Sequence, residues 1–260
     1  MAQPPSHEHD AEVLRQFTAQ APSYAAAEPV RNQQALELLL AACRVRGDDR
    51  ALDVACGPGL VACAIAETAR EVAGVDATAA MIEQARALAA TRGLENITWT
   101  TAAVPPLPWD DGSFDLVLSR YAFHHFEDRA ALLAEMARVC RPGGRVIVCD
   151  VAPAAEKTDA FNAVERLRDS SHAGALALPA LLRLFQEAGL AVEDVGGYPL
   201  EGELNALLER SAAEDGAADE VRRRYEASLD DDALGVGAWR DGGRIRYAFP
   251  IAIVAGRNPQ

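Results

Sequence analysis

The stretch that decides the fold is Ala51-Leu52-Asp53-Val54-Ala55-Cys56-Gly57-Pro58-Gly59-Leu60. A short apolar run ends in small residues, and an apolar helical pattern follows from Val61 to Ala69. The reading is strand, tight Gly-rich turn, helix. In an open α/β sheet such a turn lies at the carboxyl ends of the strands, where ligands bind. Gly57 and Gly59 let the backbone bend and let a ligand approach it. The helix start offers N–H groups to anything negative. A dinucleotide fingerprint, G-x-G-x-x-G, needs glycine at Ala55, Gly57 and Leu60, and two of those three positions fail. A generic strand–turn–helix corner is the other reading of the same residues.

Working outward, Val72-Ala73-Gly74-Val75-Asp76 is a second short strand that ends in an acid. Asp76 is placed either to accept from the hydroxyls of a ribose or to serve as helix N-terminal charge. Met81, Ala85 and Leu88 mark a helix, Ile97 to Thr100 a third strand, Phe114 to Ser119 a buried fourth, and Arg145 to Asp150 a fifth. Between the last two, Leu132, Leu133, Met136 and Val139 repeat at helical spacing until Arg141-Pro142-Gly143-Gly144 stops them. Strands alternating with helices in this way predict a parallel, doubly wound sheet.

Upstream, residues 1–9 read as disordered, Asp10 to Gln20 as a short helix, and Val30 to Arg46 as an amphipathic one. Downstream, 154–175 is a polar helical pattern, Leu181 to Ala188 a helix, Ala191 to Val195 a sixth strand, and 201–228 a charged helical stretch. A hairpin turn at Arg240 to Arg244 leads into Ile245, Tyr247, Phe249, Ile251 and Ile253, whose alternation gives a last strand with one buried face. Pro250 belongs where no ladder N–H is needed.

Composition narrows the function. With 25 basic and 39 acidic residues the net charge is −14, which argues against a general nucleic-acid or anionic-membrane surface. No apolar run approaches the roughly 20 residues of a membrane span, and the N-terminus has no apolar signal core, so the expected location is the cytoplasm. The five cysteines show no Cys-x-x-Cys pair, so neither a disulfide framework nor a metal site is expected.

With these elements placed, Asp53-x-Ala55-x-Gly57-x-Gly59 resembles motif I of the class I S-adenosylmethionine-dependent methyltransferases, with Ala55 in place of the first glycine. The block Leu107-Pro108-Trp109…Asp111-Gly112-Ser113-Phe114-Asp115, the turn Arg141-Pro142-Gly143-Gly144 and the segment Tyr121 to Phe126 resemble the ubiquinone/menaquinone-type (methyltransferase type 11) superfamily. A narrower resemblance, to the YcgJ-like bacterial methyltransferases, rests on Glu165-x-x-Arg168-Asp169-x-Ser171-His172 and on Tyr247…Ala255-Gly256-Arg257.

The resemblance implies a Rossmann-like α/β fold: a mostly parallel seven-stranded sheet, helices on both faces, and an antiparallel last strand. It divides the chain into a helical cap or lid at 1–46 and a cofactor domain at 47–260, with 154–178 and 200–230 as helical insertions on the substrate side. The implied cofactor is S-adenosyl-L-methionine, leaving as S-adenosyl-L-homocysteine. The implied partner is a small-molecule acceptor, with no nucleic acid or membrane span, on a monomer or homodimer.

By the same resemblance Asp53, Ala55, Cys56, Gly57 and Gly59 run along the methionine moiety. Asp76, with Ala77 and Met81, holds the adenosine, and Ala102, Ala103 and Val104 line the adenine. Arg120 and Tyr121 approach the methionine end, and Tyr24 and Phe17 close over the sulfonium. His125 is the base candidate, and a core histidine that orients its loop is the other reading. His124, Glu165, Arg168, Asp169 and His172 are assigned to the acceptor side, or else to a solvated charged face. The family's usual adenine-binding Asp is Ala103 here. Two other functions fit a similar donor half: a cofactor-binding protein of this fold that transfers no methyl (accessory or cyclase-like), and a nicotinamide-dependent reductase. The reductase reading needs a Tyr-x-x-x-Lys pair, and the only lysine, Lys157, has Pro153 four residues before it.

Overall fold

A computed structural model describes residues 7–26, 31–211 and 216–259. Five strands in succession are parallel: β1 (Arg50–Val54), β2 (Glu71–Asp76), β3 (Ile97–Thr101), β4 (Phe114–Arg120) and β5 (Cys140–Val151). Two more, β6 (Ala191–Glu203) and β8 (Arg244–Arg257), complete the sheet in the order β3-β2-β1-β4-β5-β8-β6. β8 is antiparallel to both of its neighbours. A short strand, β7 (Trp239–Asp241), forms a hairpin with the start of β8, so the sheet has eight strands where the sequence predicts seven. Gly242 and Gly243 form the turn between them.

The inner strands β1, β2, β4 and β5 are buried because both faces of the sheet are covered there, the usual condition of parallel sheets, whereas the edge strands β3 and β6 are more exposed. Successive residues point to opposite sides. Leu116, Leu118, Ile147 and Cys149 enter one core with α2 (Gln33–Cys43), α3 (Leu60–Ala66) and Trp99. Leu52, Val117, Val146 and Val148 enter the other, with α5 (Arg129–Val139) and α7 (Leu178–Glu187). At the amino ends of the strands a buried ion pair, Arg145 to Asp49, ties β5 to the start of β1.

Several elements differ from the sequence reading. Residues 7–9 are not disordered but begin a 20-residue helix, α1 (His7–Ala26). The polar pattern at 154–178 contains a 3-10 turn (Ala155–Lys157) and one α-helix, α6 (Thr158–Arg168), followed by irregular chain up to α7. Residues 201–203 belong to β6, and beyond them α8 (Leu204–Arg210) and α9 (Ala217–Ala227) are separate helices. α2 packs Ala35, Leu39 and Cys43 into the interior, which leaves α1 as the N-terminal element lying over the ligand end of the sheet. Pro250 faces Pro199 across β6 and β8, so neither missing N–H is called on for a ladder bond there.

Candidate functional site

The sheet order reverses between β1 and β4, the place where open α/β sheets bind ligands. The turn after β1 is strained there. Ala55 has φ +54°, Gly57 +52° and Gly59 +77°. For Ala55 a left-handed backbone costs about 1–2 kcal/mol. The two glycines do different work. A Cβ on Gly59 would lie 2.7 Å from Trp99 and 2.8 Å from Ala85, so Gly59 lets α3 pack closely on α4 (Ala79–Arg92). A Cβ on Gly57 would meet nothing within 4 Å, and Gly57 lines a cavity of about 320 Å³.

Asp53 is buried under the turn. Its Oδ2 accepts from Ala62 N at 3.1 Å, capping α3 where Gly59 has no side chain to do so. Burial raises its pKa to about 7. Asp76 ends β2 with both carboxylate oxygens engaged: Oδ2 accepts from Gly57 N at 2.9 Å and Oδ1 from Thr78 N at 2.8 Å. Burial holds its pKa above the ordinary carboxylate value in spite of those two bonds. The acid therefore locks the Gly57 turn to the end of β2.

After β4 comes Arg120, buried and on the cavity wall. Its guanidinium lies 4.3 Å from the centroid of the Tyr121 ring and donates to Tyr121 Oη at 3.2 Å. Tyr121, at φ +56°, reaches Tyr198 Oη of β6. Strained backbone at both Ala55 and Tyr121 borders the same cavity, a pattern common at functional sites.

The cavity brings together Asp53, Ala55, Cys56, Gly57, Asp76, Ala77, Met81, Ala103, Val104, Arg120, Tyr121, His125 and Phe17 of the residues singled out in the sequence. Gly59 and Ala102 stand just behind the wall; Ala102 N donates to the Asp76 carbonyl. The side chain of Tyr24 lies outside the described residues. Cys56 is buried, and burial raises its thiol pKa well above normal, which disfavours a nucleophilic thiolate. Sequence reading missed one face of α1, Asp10, Val13 and Leu14, which continues to Phe17 across the cavity. Their spacing is helical, and that was the available signal. It also missed Phe126, Glu127 and Asp128 at the start of α5, where Asp128 accepts from Ala131 N at 2.9 Å.

The residues assigned to the acceptor side stand elsewhere. None of Glu165, Arg168, Asp169 and His172 lines the cavity; Glu165, Asp169 and His172 are buried, and Arg168 is mostly so. Arg168 donates to both carboxylate oxygens of Glu165 and to Ser211 Oγ. His172 Nε2 meets Asn162 Oδ1 at 2.8 Å, and burial with nearby positive charge pushes its pKa far down. The four are drawn inward because each finds a polar partner there, the condition for hiding such groups. His124 is also off the cavity. Burial opposes its charge, but Asp150, 2.7 Å from Nδ1, outweighs this and raises its pKa. Among the described residues, His125 joins this polar network to the cavity.

Sheet order, turn and cavity together define a Rossmann-like class I methyltransferase fold. The methyltransferase domain family matches residues 52–148. Over 177 residues the chain is 34% identical to an uncharacterized methyltransferase of Bacillus subtilis, YcgJ, covering 67% of this chain and 70% of that protein. The crystal structure of YcgJ superposes with a TM-score of 0.81 at 26% identity, over 88% of this chain and 100% of the other. A demethylmenaquinone methyltransferase of Thermus thermophilus is 40% identical over 106 residues, 40% of this chain and 48% of that protein. A geranyl diphosphate C-methyltransferase of Streptomyces coelicolor, solved with S-adenosyl-L-homocysteine, shares the fold at a TM-score of 0.67 and 13% identity, over 98% of this chain and 100% of that one. The chain belongs to this methyltransferase family and is an S-adenosylmethionine-dependent methyltransferase.

Proposed function

We propose that the cavity binds S-adenosylmethionine and that the enzyme passes the methyl group to a small organic acceptor admitted beneath α1. The observation that carries this reading is the cavity itself, built on the Gly57 turn and Asp76 and roofed by Asp10, Val13, Leu14 and Phe17 of α1. The residues fit the cofactor. The open Cβ direction of Gly57 leaves room for a chain to lie along the turn. Asp76 accepts from the Gly57 and Thr78 backbones and from the Thr78 side chain, and its place on the cavity wall brings the carboxylate within reach of the ribose hydroxyls. Ala77, Met81, Ala103 and Val104 offer an apolar surface for adenine. Arg120 brings positive charge to the cavity wall for a carboxylate, and the buried acids Asp53 and Asp76 favour a cationic ligand. The Phe17 ring adds about 0.5–2 kcal/mol if it meets the cation.

When bound, the cofactor supplies a methyl group already activated for direct displacement by its positive sulfur. The protein's own task is placement: holding an acceptor in line contributes as much as about 7–11 kcal/mol in the best intramolecular cases. α1 covers the site and excludes water. Two of the similar proteins are named for small organic acceptors, a demethylmenaquinone and geranyl diphosphate, and the charge of −14 disfavours nucleic acid. We assign residues 7–26 the role of lid and the sheet domain from 47 onward that of cofactor holder. The test is incubation with methyl-labelled cofactor and a library of small metabolites. Label in a small molecule, with S-adenosylhomocysteine formed in equal amount, supports the reading. Label only in added protein or RNA overturns it.

A further inference from the structure

His125 ends the short helical turn Phe123–His125 that follows β4, and it borders the cavity with 9% of its surface accessible. The other side of its ring is held by a single residue. Nδ1 lies 3.0 Å from the Ser171 carbonyl oxygen and 3.1 Å from Ser171 Oγ. A carbonyl oxygen can only accept. The hydroxyl has one proton, and that proton goes to Asp169 Oδ1 at 2.5 Å, so Oγ turns a lone pair to the imidazole. Asp169 Oδ1 also accepts from Ser171 N at 2.9 Å and from Gln16 Nε2 of α1 at 3.2 Å. Both Ser171 oxygens thus require a proton on Nδ1. A neutral imidazole has only one, which leaves Nε2 with its lone pair. Nε2 makes no hydrogen bond among the described residues.

We infer that His125 Nε2 is the base that receives the acceptor's proton, that Ser171 and Asp169 are positioning residues fixing its tautomer, and that the acceptor presents a phenol or enol O–H. The inference rests on the function proposed above. Burial, then the neighbouring charge of His124, lowers the His125 pKa to about 4, so the ring is neutral at neutral pH. A base this weak suits a proton that becomes acidic only as the new bond forms. The acceptor oxygen's lone pair forms the bond to the methyl carbon, the carbon–sulfur pair returns to sulfur, and the O–H proton passes to Nε2. The imidazolium then gives that proton to water. A thiol ionises without such a base, and a neutral amine attacks before it loses a proton, so the base selects for O–H.

The charged and titratable groups around the ring belong to every element that packs on it. His124 with Asp150 lies on one side, at 4.1 Å between the two imidazole centroids. Asp169 and His172 lie behind. His9 of α1 has Nε2 2.7 Å from the His125 carbonyl oxygen. Glu127 and Asp128 lie on the cavity wall.

The experiment is two-bond proton–nitrogen NMR on the ¹⁵N-labelled full chain, with the His125 ring assigned by its contact with Phe17, 4.8 Å away. The expected result is a neutral ring protonated on Nδ1 from pH 6 to 8. Asp169→Ala should let the two tautomers mix, changing their ratio at least 10-fold. A proton on Nε2, an imidazolium in that range, or an unchanged ratio in a folded Asp169→Ala overturns the assignment. The wild-type spectrum decides even if the variant does not fold. In parallel, methyl-labelled cofactor is offered with phenol, enol, thiol and amine probes. Turnover of phenols or enols that falls at least 100-fold in His125→Gln, with S-adenosylhomocysteine affinity within 2-fold, supports the inference. Turnover of thiols or amines alone, or of no probe, overturns the acceptor class. Calorimetry with S-adenosylhomocysteine separates the two levels: no binding means the cofactor reading has failed, whatever the tautomer.

Discussion

Asp76→Asn separates a ligand-binding carboxylate from a structural one. In the free protein the acid accepts from Gly57 N at 2.9 Å and Thr78 N at 2.8 Å. Burial nevertheless raises its pKa, so those bonds do not fully offset the desolvation of the charge. Asn keeps the shape and one acceptor oxygen, and it sheds the charge. The expected loss of folding stability is therefore small, about 1 kcal/mol, the net value of one ordinary hydrogen bond. Binding is different. Two ribose hydroxyls donating to a carboxylate contribute roughly 1.5–3 kcal/mol each, against about 0.5–1.5 for a neutral acceptor. The difference summed over two bonds is on the order of 2–3 kcal/mol, or about 30- to 150-fold in affinity. The assay pairs calorimetric titration with S-adenosylmethionine and urea denaturation of the same preparation. The reverse split, with stability down by more than about 2 kcal/mol and affinity within 2-fold, would refute the ribose assignment.

Three further outcomes follow from the same geometry. Ala103→Asp restores an adenine acceptor and should tighten S-adenosylmethionine binding by about 0.5–1.5 kcal/mol; unchanged affinity in calorimetry would mean the backbone already serves the amino group. Arg168→Ala leaves the Glu165 carboxylate buried without its partner and should destabilise the fold by about 3–5 kcal/mol in urea, with cofactor affinity of the folded fraction within 2-fold; a stability equal to wild type would show that the pair is not sealed from water. Asp53 has its folded pKa raised to about 7 by burial, so its neutral form favours folding at low pH and that contribution is lost as pH rises from about 4 to 7. The stability of wild type minus that of Asp53→Asn should therefore fall by roughly 4 kcal/mol across that window, and a flat difference would count against the burial.

What was legible in the sequence was local. The run Leu52 to Gly59, the acid Asp76 one strand later and Arg120 at the end of β4 each announce themselves within a few residues, and all stand at one end of the sheet. The local pattern gives β6 only five residues because Gly196, Gly197 and Pro199 break it; long-range pairing with β8 carries the strand on to Glu203. β7 is three residues long, too short for any periodicity. The α1 face was visible as a helical stripe, but nothing local says that Asp10, Val13 and Leu14 look onto a cavity. Glu165, Arg168, Asp169 and His172 mislead because charged side chains are usually exposed. Their burial depends on Asn162, Ser211 and Gln16, which are near only in the folded chain.

The central claim is that this turn and cavity hold S-adenosylmethionine. Isothermal titration of the full chain with S-adenosylmethionine, S-adenosylhomocysteine and NADPH tests it most directly. The account predicts saturable binding of both adenosyl ligands near one per chain and no heat from NADPH. Binding of NADPH with no response to either adenosyl ligand would contradict it.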